Sequence, residues 1–134
     1  MYTLRAIIES LETNYSAYIE GLDGVVATGA TIDEIQRNLM EAVNDYIDTC
    51  KQLGCAIPEQ LEGDYSFEFS MDVKSLLSMY YGIFTKSGLE RLTGINQKQL
   101  WHYAKGVSTP RPAQTAKIES ALHRLGNELI SVKL

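Results

Sequence analysis

The sequence has few of the residues from which metal centres and nucleophilic sites are built. Its 134 residues include two cysteines, Cys50 and Cys55, and two histidines, His102 and His123. Two cysteines with no second pair or flanking histidine cannot complete a zinc site. Cys50 falls on the apolar face of a predicted helix, where we expect it to pack. We therefore predict no metal and no cofactor.

Long apolar runs are also absent. The N-terminus has no run of signal-peptide type, and no stretch approaches the roughly 20 apolar residues that a membrane helix needs. We expect a cytoplasmic protein without a membrane partner.

Basic residues are scarce in the first half of the chain and common in the second. Residues 1–72 contain three basic side chains against fourteen acidic ones, a net charge of −11. Residues 73–134 contain nine basic and three acidic ones, a net charge of +6, and the two halves add to the overall −5. The overall pI near 5.0 therefore averages over two oppositely charged parts, an acidic module joined to a basic one. We predict a domain boundary near Asp72.

Residues 85–106 have the spacing of a helix-turn-helix: a short helix, a glycine turn and a second helix. Gly94 allows a left-handed turn, Ile95 fills the corner, and Asn96 caps the second helix. Gly106 ends that helix. The alternative is a small helical hairpin with a solvated polar face, but the turn, the cap and the basic flank together favour DNA binding.

The second helix has two faces at about 100° per residue. Leu100, Tyr103 and Ala104 cluster on one face, which we expect to pack, and the opposite face is polar and basic. Glutamine there can pair with adenine, and lysine can contact guanine or phosphate. Trp101 either stacks on the sugar-phosphate surface or folds back into the core. The predicted DNA-binding residues are Asn96, Gln97, Lys98, Trp101, His102, Lys105 and Arg111.

The first half predicts an α+β layer structure in the order β-β-β-α-β. Thr31 and Glu34 form a capping box at the start of the helix, and Gly54 ends it. One sheet face or edge strand is left open, and the acidic surroundings favour a basic partner. The predicted strands span residues 2–9, 15–20, 25–28 and 64–71.

No catalytic site is visible in the acidic half. Its order is similar to the first half of a ribonuclease-H-like fold, whose chemistry uses clustered carboxylates to hold two metal ions. The first strand has Arg5 in its middle and no Asp, and Glu9 stands alone at its end. Both histidines lie in the other half, so no Ser-His-Asp or Cys-His arrangement can be argued. We predict that the protein is not an enzyme.

The basic half predicts two further helices and a short strand. Residues 73–84 and 112–125 have apolar faces, and Gly126 is expected to end the second of these helices. Residues 127–134 alternate apolar and polar side chains, which predicts a C-terminal edge strand that pairs with a second copy. We expect a homodimer or a higher homo-oligomer on a palindromic DNA site.

In both halves the chain resembles HicB-type antitoxins, the inhibitory partners of HicA toxins. The motifs that carry this resemblance are Tyr15-Ser-Ala-Tyr-Ile19, Gly24-Val-Val-Ala-Thr-Gly29, Thr31-Ile-Asp-Glu34, Gly94-Ile-Asn-Gln-Lys-Gln-Leu100 and Lys105-Gly-Val-Ser-Thr-Pro-Arg111.

The resemblance implies a partial ribonuclease-H-like domain that covers a small basic toxin that cleaves messenger RNA. It also implies a helix-turn-helix domain that represses the shared operon. The sequence departs from the family at Leu22-Asp-Gly24, where a proline-glycine turn is common. The alternative function is a stand-alone transcriptional regulator whose first domain senses a ligand or only oligomerises.

Overall fold

Alternating apolar residues in the first half of the chain form one four-stranded sheet in the computed structural model, which describes residues 1–134. The strands lie in the order β3-β2-β1-β4, and β1 pairs antiparallel with β2 but parallel with β4. A helix and a 3-10 turn separate β3 from β4, so the predicted order β-β-β-α-β is confirmed. The strands are β1 (Tyr2–Ser10), β2 (Tyr15–Ile19), β3 (Val26–Gly29) and β4 (Tyr65–Ser70).

Helix α1 (Ile32–Leu53) covers one face of this sheet. The Thr31 side chain accepts a hydrogen bond from the Glu34 backbone N–H at 3.2 Å, and Gly54 ends the helix in the left-handed region at φ 71°. Ile35, Leu39 and Val43 recur at the helical period along α1 and are fully buried, and alternate residues of the strands are also buried. The core between them contains Leu4, Ala6, Ile8, Ala17, Ile19, Ala27, Ile35, Leu39 and Val43.

The second half of the chain is entirely helical. Its helices are α2 (Val73–Met79), α3 (Lys86–Thr93), α4 (Gln97–Lys105) and α5 (Pro112–Ile130). One cluster of buried side chains, contributed by all four helices and the α3–α4 turn, forms its core. The members of that cluster are Val73, Leu77, Leu89, Ile95, Leu100, Tyr103 and Ile118.

The chain therefore has a mixed α+β composition and divides into two compact units, Met1–Asp72 and Val73–Leu134. We call them the first unit and the second unit.

The predicted C-terminal strand is wrong. Helix α5 continues through Gly126 to Ile130, and the last four residues form no strand. Gly126 is not among the glycines with a positive φ, and a single glycine inside a helix costs only about 1 kcal/mol relative to alanine. Leu125 and Leu129 continue the i, i+4 apolar repeat across it, so the helical pattern prevails over the alternation expected for residues 127–134.

The helix predicted over residues 73–84 is also too long. Helix α2 ends at Met79, and a series of tight turns leads to Phe84, whose half-buried ring packs against the core of the second unit. These turns leave Tyr81, which lies within the predicted helix, 78% exposed. Thr85 then caps α3, so the chain changes direction where a continuous helix was expected.

No helix of the protein combines the length and the apolar character needed to cross a membrane.

Candidate nucleic-acid interface

Helices α3 and α4 are joined by a turn of three residues whose geometry comes from Gly94. Gly94 has φ 75°, a left-handed conformation that glycine adopts without steric cost, and its N–H donates to the Glu90 carbonyl at 2.7 Å. The buried Thr93 hydroxyl donates to the Leu89 carbonyl at 2.7 Å and accepts from the Ile95 N–H at 3.1 Å. These bonds fix the corner from which α4 departs.

The first turn of α4 is held by two side-chain acceptors. The Asn96 side-chain oxygen accepts from the Lys98 N–H at 2.8 Å, which confirms the predicted cap. The Glu90 carboxylate, on α3, accepts from the Gln97 N–H at 2.9 Å. Two otherwise unpaired donors at the helix start are thereby satisfied, and a negative charge faces the positive end of the helix dipole. The orientation of Gln97 and Lys98 is set by this arrangement.

The polar face predicted for α4 is largely present. Gln97, Lys98 and Lys105 are exposed, and Trp101 is 39% exposed. His102 is half-buried and its ring centroid lies 5.6 Å from that of Trp101, so it offers less surface to a ligand than predicted. On the other face Leu100 and Tyr103 are buried, at 1% and 4% exposure.

Two ammonium groups lie close to the Trp101 ring at the surface of the second unit. The Lys86 Nζ atom is 5.5 Å from the centre of the indole ring, and the Lys105 Nζ atom is 5.8 Å from it. Both distances suit a cation–π interaction. The indole therefore does not fold into the core, and it lines a groove of about 950 Å³ together with Phe84 and these two lysines. An aromatic face flanked by cations can stack on or pair with an anionic polymer.

Other cations surround the α3–α4 pair. The Lys117 side chain passes beside Gly94, within 3.9 Å of the position that a Cβ atom there would occupy, and Lys74 lies in the same way beside Gly106. Arg111 is exposed at the N-cap of α5, where its carbonyl accepts from the N–H groups of the first turn.

Lys86 and Glu90 contribute to this surface and were not among the predicted residues. Lys86 belongs to α3 yet reaches the Trp101 ring on α4, and no local pattern indicates a contact across fifteen residues. Glu90 had a detectable signal, because an acidic residue seven positions before the start of a helix, across a three-residue turn, can reach its unpaired N–H groups.

The structure contains no group of three or more His, Cys, Asp or Glu side chains placed to hold a metal ion. Cys50 is buried, as predicted, and Cys55 is exposed. That the protein is not an enzyme stays a prediction.

Comparison with protein families gives a match in the first unit. Residues 4–58 match the model of the UPF0150-like family, so the similarity begins within β1, includes all of α1 and stops before β4. Neither the curated proteins nor the solved structures include a match to this chain.

Proposed function

We propose that the protein is an antitoxin and autorepressor. The first unit binds and occludes a small basic HicA-type toxin that cleaves messenger RNA, and the second unit represses the operon by binding operator DNA as a helix-turn-helix. The family match over residues 4–58 carries the proposal, because the UPF0150-like family is associated with HicB-like antitoxins. The protein acts by covering its partner and catalyses no reaction.

The charge of each unit supports the division of roles. The first unit has a net charge of −11, which favours a cationic protein partner, and the second has +6, which favours a polyanion. In the second unit the exposed residues Gln97 and Lys98 at the start of α4 would reach base edges. Trp101 and Lys105, one and two turns further along, would contact the sugar-phosphate backbone with Arg111.

A homodimer on a palindromic site is part of this proposal, since one small helical domain buries too little surface for tight specific binding. The exposed apolar side chains at the end of α5 support it: Leu129 is 60% exposed, Ile130 77% and Val132 54%. Helix ends, and not paired strands, would form the contact between copies.

Co-expression tests the toxin half. The product of a small open reading frame next to the gene should arrest growth when expressed alone, and this protein should relieve the arrest. Unchanged arrest with well-expressed protein would contradict the antitoxin role.

A DNA footprint on its own promoter without any small basic partner would favour the alternative, a stand-alone regulator. Absence of a footprint would contradict the repressor half.

A further inference from the structure

The face of the sheet opposite α1 has an apolar row across three strands. In the observed register Val26 of β3 lies beside Tyr18 of β2, and Tyr18 lies beside Ile7 of β1. Val26 is 58% exposed, Tyr18 is 42% exposed and Ile7 is half-buried. Residues directly opposite one another on paired strands share a sheet face, so the three side chains form one continuous strip. We call Ile7, Tyr18 and Val26 the apolar row.

Acidic residues border the apolar row on both sides. On one side Glu9 of β1 is paired with Ser16 of β2, and both point to the same face as the row. On the other side Arg5 lies between Glu20 and Glu68: its Nε atom is 3.8 Å from the Glu20 carboxylate, and it is in register with Glu68. Arg5 offsets one of these three carboxylates, so the border of the row keeps a net negative charge.

We propose that this sheet face is the docking surface for the basic protein partner, with Tyr18 as its central anchor. The inference rests on the proposed function and names the surface that performs it. Interfaces combine an apolar centre, often with tyrosine, and a charged rim that stays partly solvated. The apolar row supplies the centre and Glu9, Glu20 and Glu68 supply the rim.

The charge of this sheet face favours a basic protein as its partner over a second copy of the chain or a nucleic acid. A second copy that docked through the same sheet face would bring its own acidic rim against this one, and like charges placed opposite each other destabilise an interface. A nucleic acid would be repelled by the same carboxylates. A cationic surface with an apolar centre is complementary to both parts of the face, so the partner is a small basic protein.

The test uses two pairs of variants matched in chemistry and exposure. Val26→Lys places a cation in the apolar row, and Met40→Lys makes the same charge change on the outer face of α1, where Met40 is 45% exposed. Tyr18→Ala removes the anchor, and Tyr2→Ala removes a tyrosine that is 44% exposed on the opposite side of the same sheet. Circular dichroism of each variant identifies any that fail to fold.

Each tagged full-length variant is purified from its own host, and small basic proteins that accompany it are identified by mass spectrometry and titrated as pure components. We expect the affinity of the identified partner to fall roughly 30-fold for Tyr18→Ala and at least about tenfold for Val26→Lys. Met40→Lys and Tyr2→Ala should bind as the unmodified protein does.

The possible results separate this inference from the proposed function. Equal binding by all four folded variants would overturn the docking surface and leave the antitoxin role intact. Equal loss with Met40→Lys and Val26→Lys would show that only total charge matters, which also overturns it. If no small basic protein accompanies the unmodified chain, the proposed function fails and the docking surface fails with it.

Discussion

The two units differ in their charge and in where their exposed apolar surface lies, although helices in both begin and end with the same kinds of residue. Thr31 in the first unit and Asn96 in the second cap helices with side-chain oxygens, and Gly54 and Gly106 end those helices in the left-handed region. The first unit packs one long helix on one sheet face and leaves the other face open. The second packs four helices around one core and is cationic. Local rules therefore set the elements of both units, whereas charge and open surface, on which the proposed partners depend, differ between them.

The largest expected effect tests whether the two cores are separate. Leu39 is fully buried in the first unit, and Leu100 is 1% exposed in the second. Truncation of either to alanine should lower the free energy of unfolding of its own unit by about 3 kcal/mol, from lost burial and the cavity left behind. The measurement is urea unfolding followed by fluorescence of Trp101, the single tryptophan, which reports on the second unit, and by circular dichroism.

Leu100→Ala should move the fluorescence midpoint, and Leu39→Ala should leave it in place while moving part of the circular dichroism transition. Equal movement of the fluorescence midpoint by both variants would mean that the two units unfold as one cooperative body.

A smaller effect tests whether only the second unit recognises DNA. Gln97→Ala should reduce discrimination between the preferred base and the others by about 1–3 kcal/mol, because the proposed bidentate contact to a base edge would be lost. The matched control is Gln36→Ala, an exposed glutamine on α1 of the first unit. The readout is competition between operator variants at fixed salt. Unaltered preference with Gln97→Ala would remove Gln97 from the base-reading residues.

Most of the local structure could be predicted from the sequence because its signals are local. The capping box at Thr31, the glycine turn at Gly94 and the cap at Asn96 each depend on residues within four positions of one another. The alternation of residues 2–9 also predicted the strand β1. Such features are encoded in short spacings and need no knowledge of the rest of the fold.

The wrong predictions concern helix ends and a tertiary contact, which residue type and spacing within one segment do not determine. Gly126 has the residue type of a helix end, yet α5 passes through it, and the i, i+4 spacing of Leu125 and Leu129 continues across it. Helix α2 stops at Met79 although the apolar spacing continues, and after the turns that follow it Phe84 packs against the core of the second unit. The contact of Lys86 with Trp101 is tertiary, and no pattern within one helix could reveal it.

The N-cap residues of α4 and α1 allow the two units to be compared through an expected change of about 1 kcal/mol in the free energy of unfolding. Asn96→Ala and Thr31→Ala should each cost about 1 kcal/mol in the free energy of unfolding of their own unit, because an N-terminal helix donor loses its acceptor. Asn96→Asp keeps the acceptor, so the second unit should stay stable, but the added charge should weaken DNA binding by repelling phosphate. Urea unfolding and DNA titration of the three variants separate the roles. Stability lost in Asn96→Asp would contradict the capping assignment, and unchanged DNA affinity would place Asn96 away from the duplex.

The smallest expected effect concerns a single phosphate contact. Lys105→Ala should weaken binding to all DNA sequences alike and lower the slope of log affinity against log salt by roughly one, because one cation fewer displaces counterions. Lys133→Ala removes the same charge from the C-terminal residues beyond α5, away from the α4 surface in sequence, and should leave the slope almost unchanged. Equal slopes for the two variants would mean that the overall +6 charge attracts DNA without a defined contact at Lys105. A lower slope for Lys105→Ala alone would assign that contact to the α4 surface and distinguish the second unit from a merely basic domain.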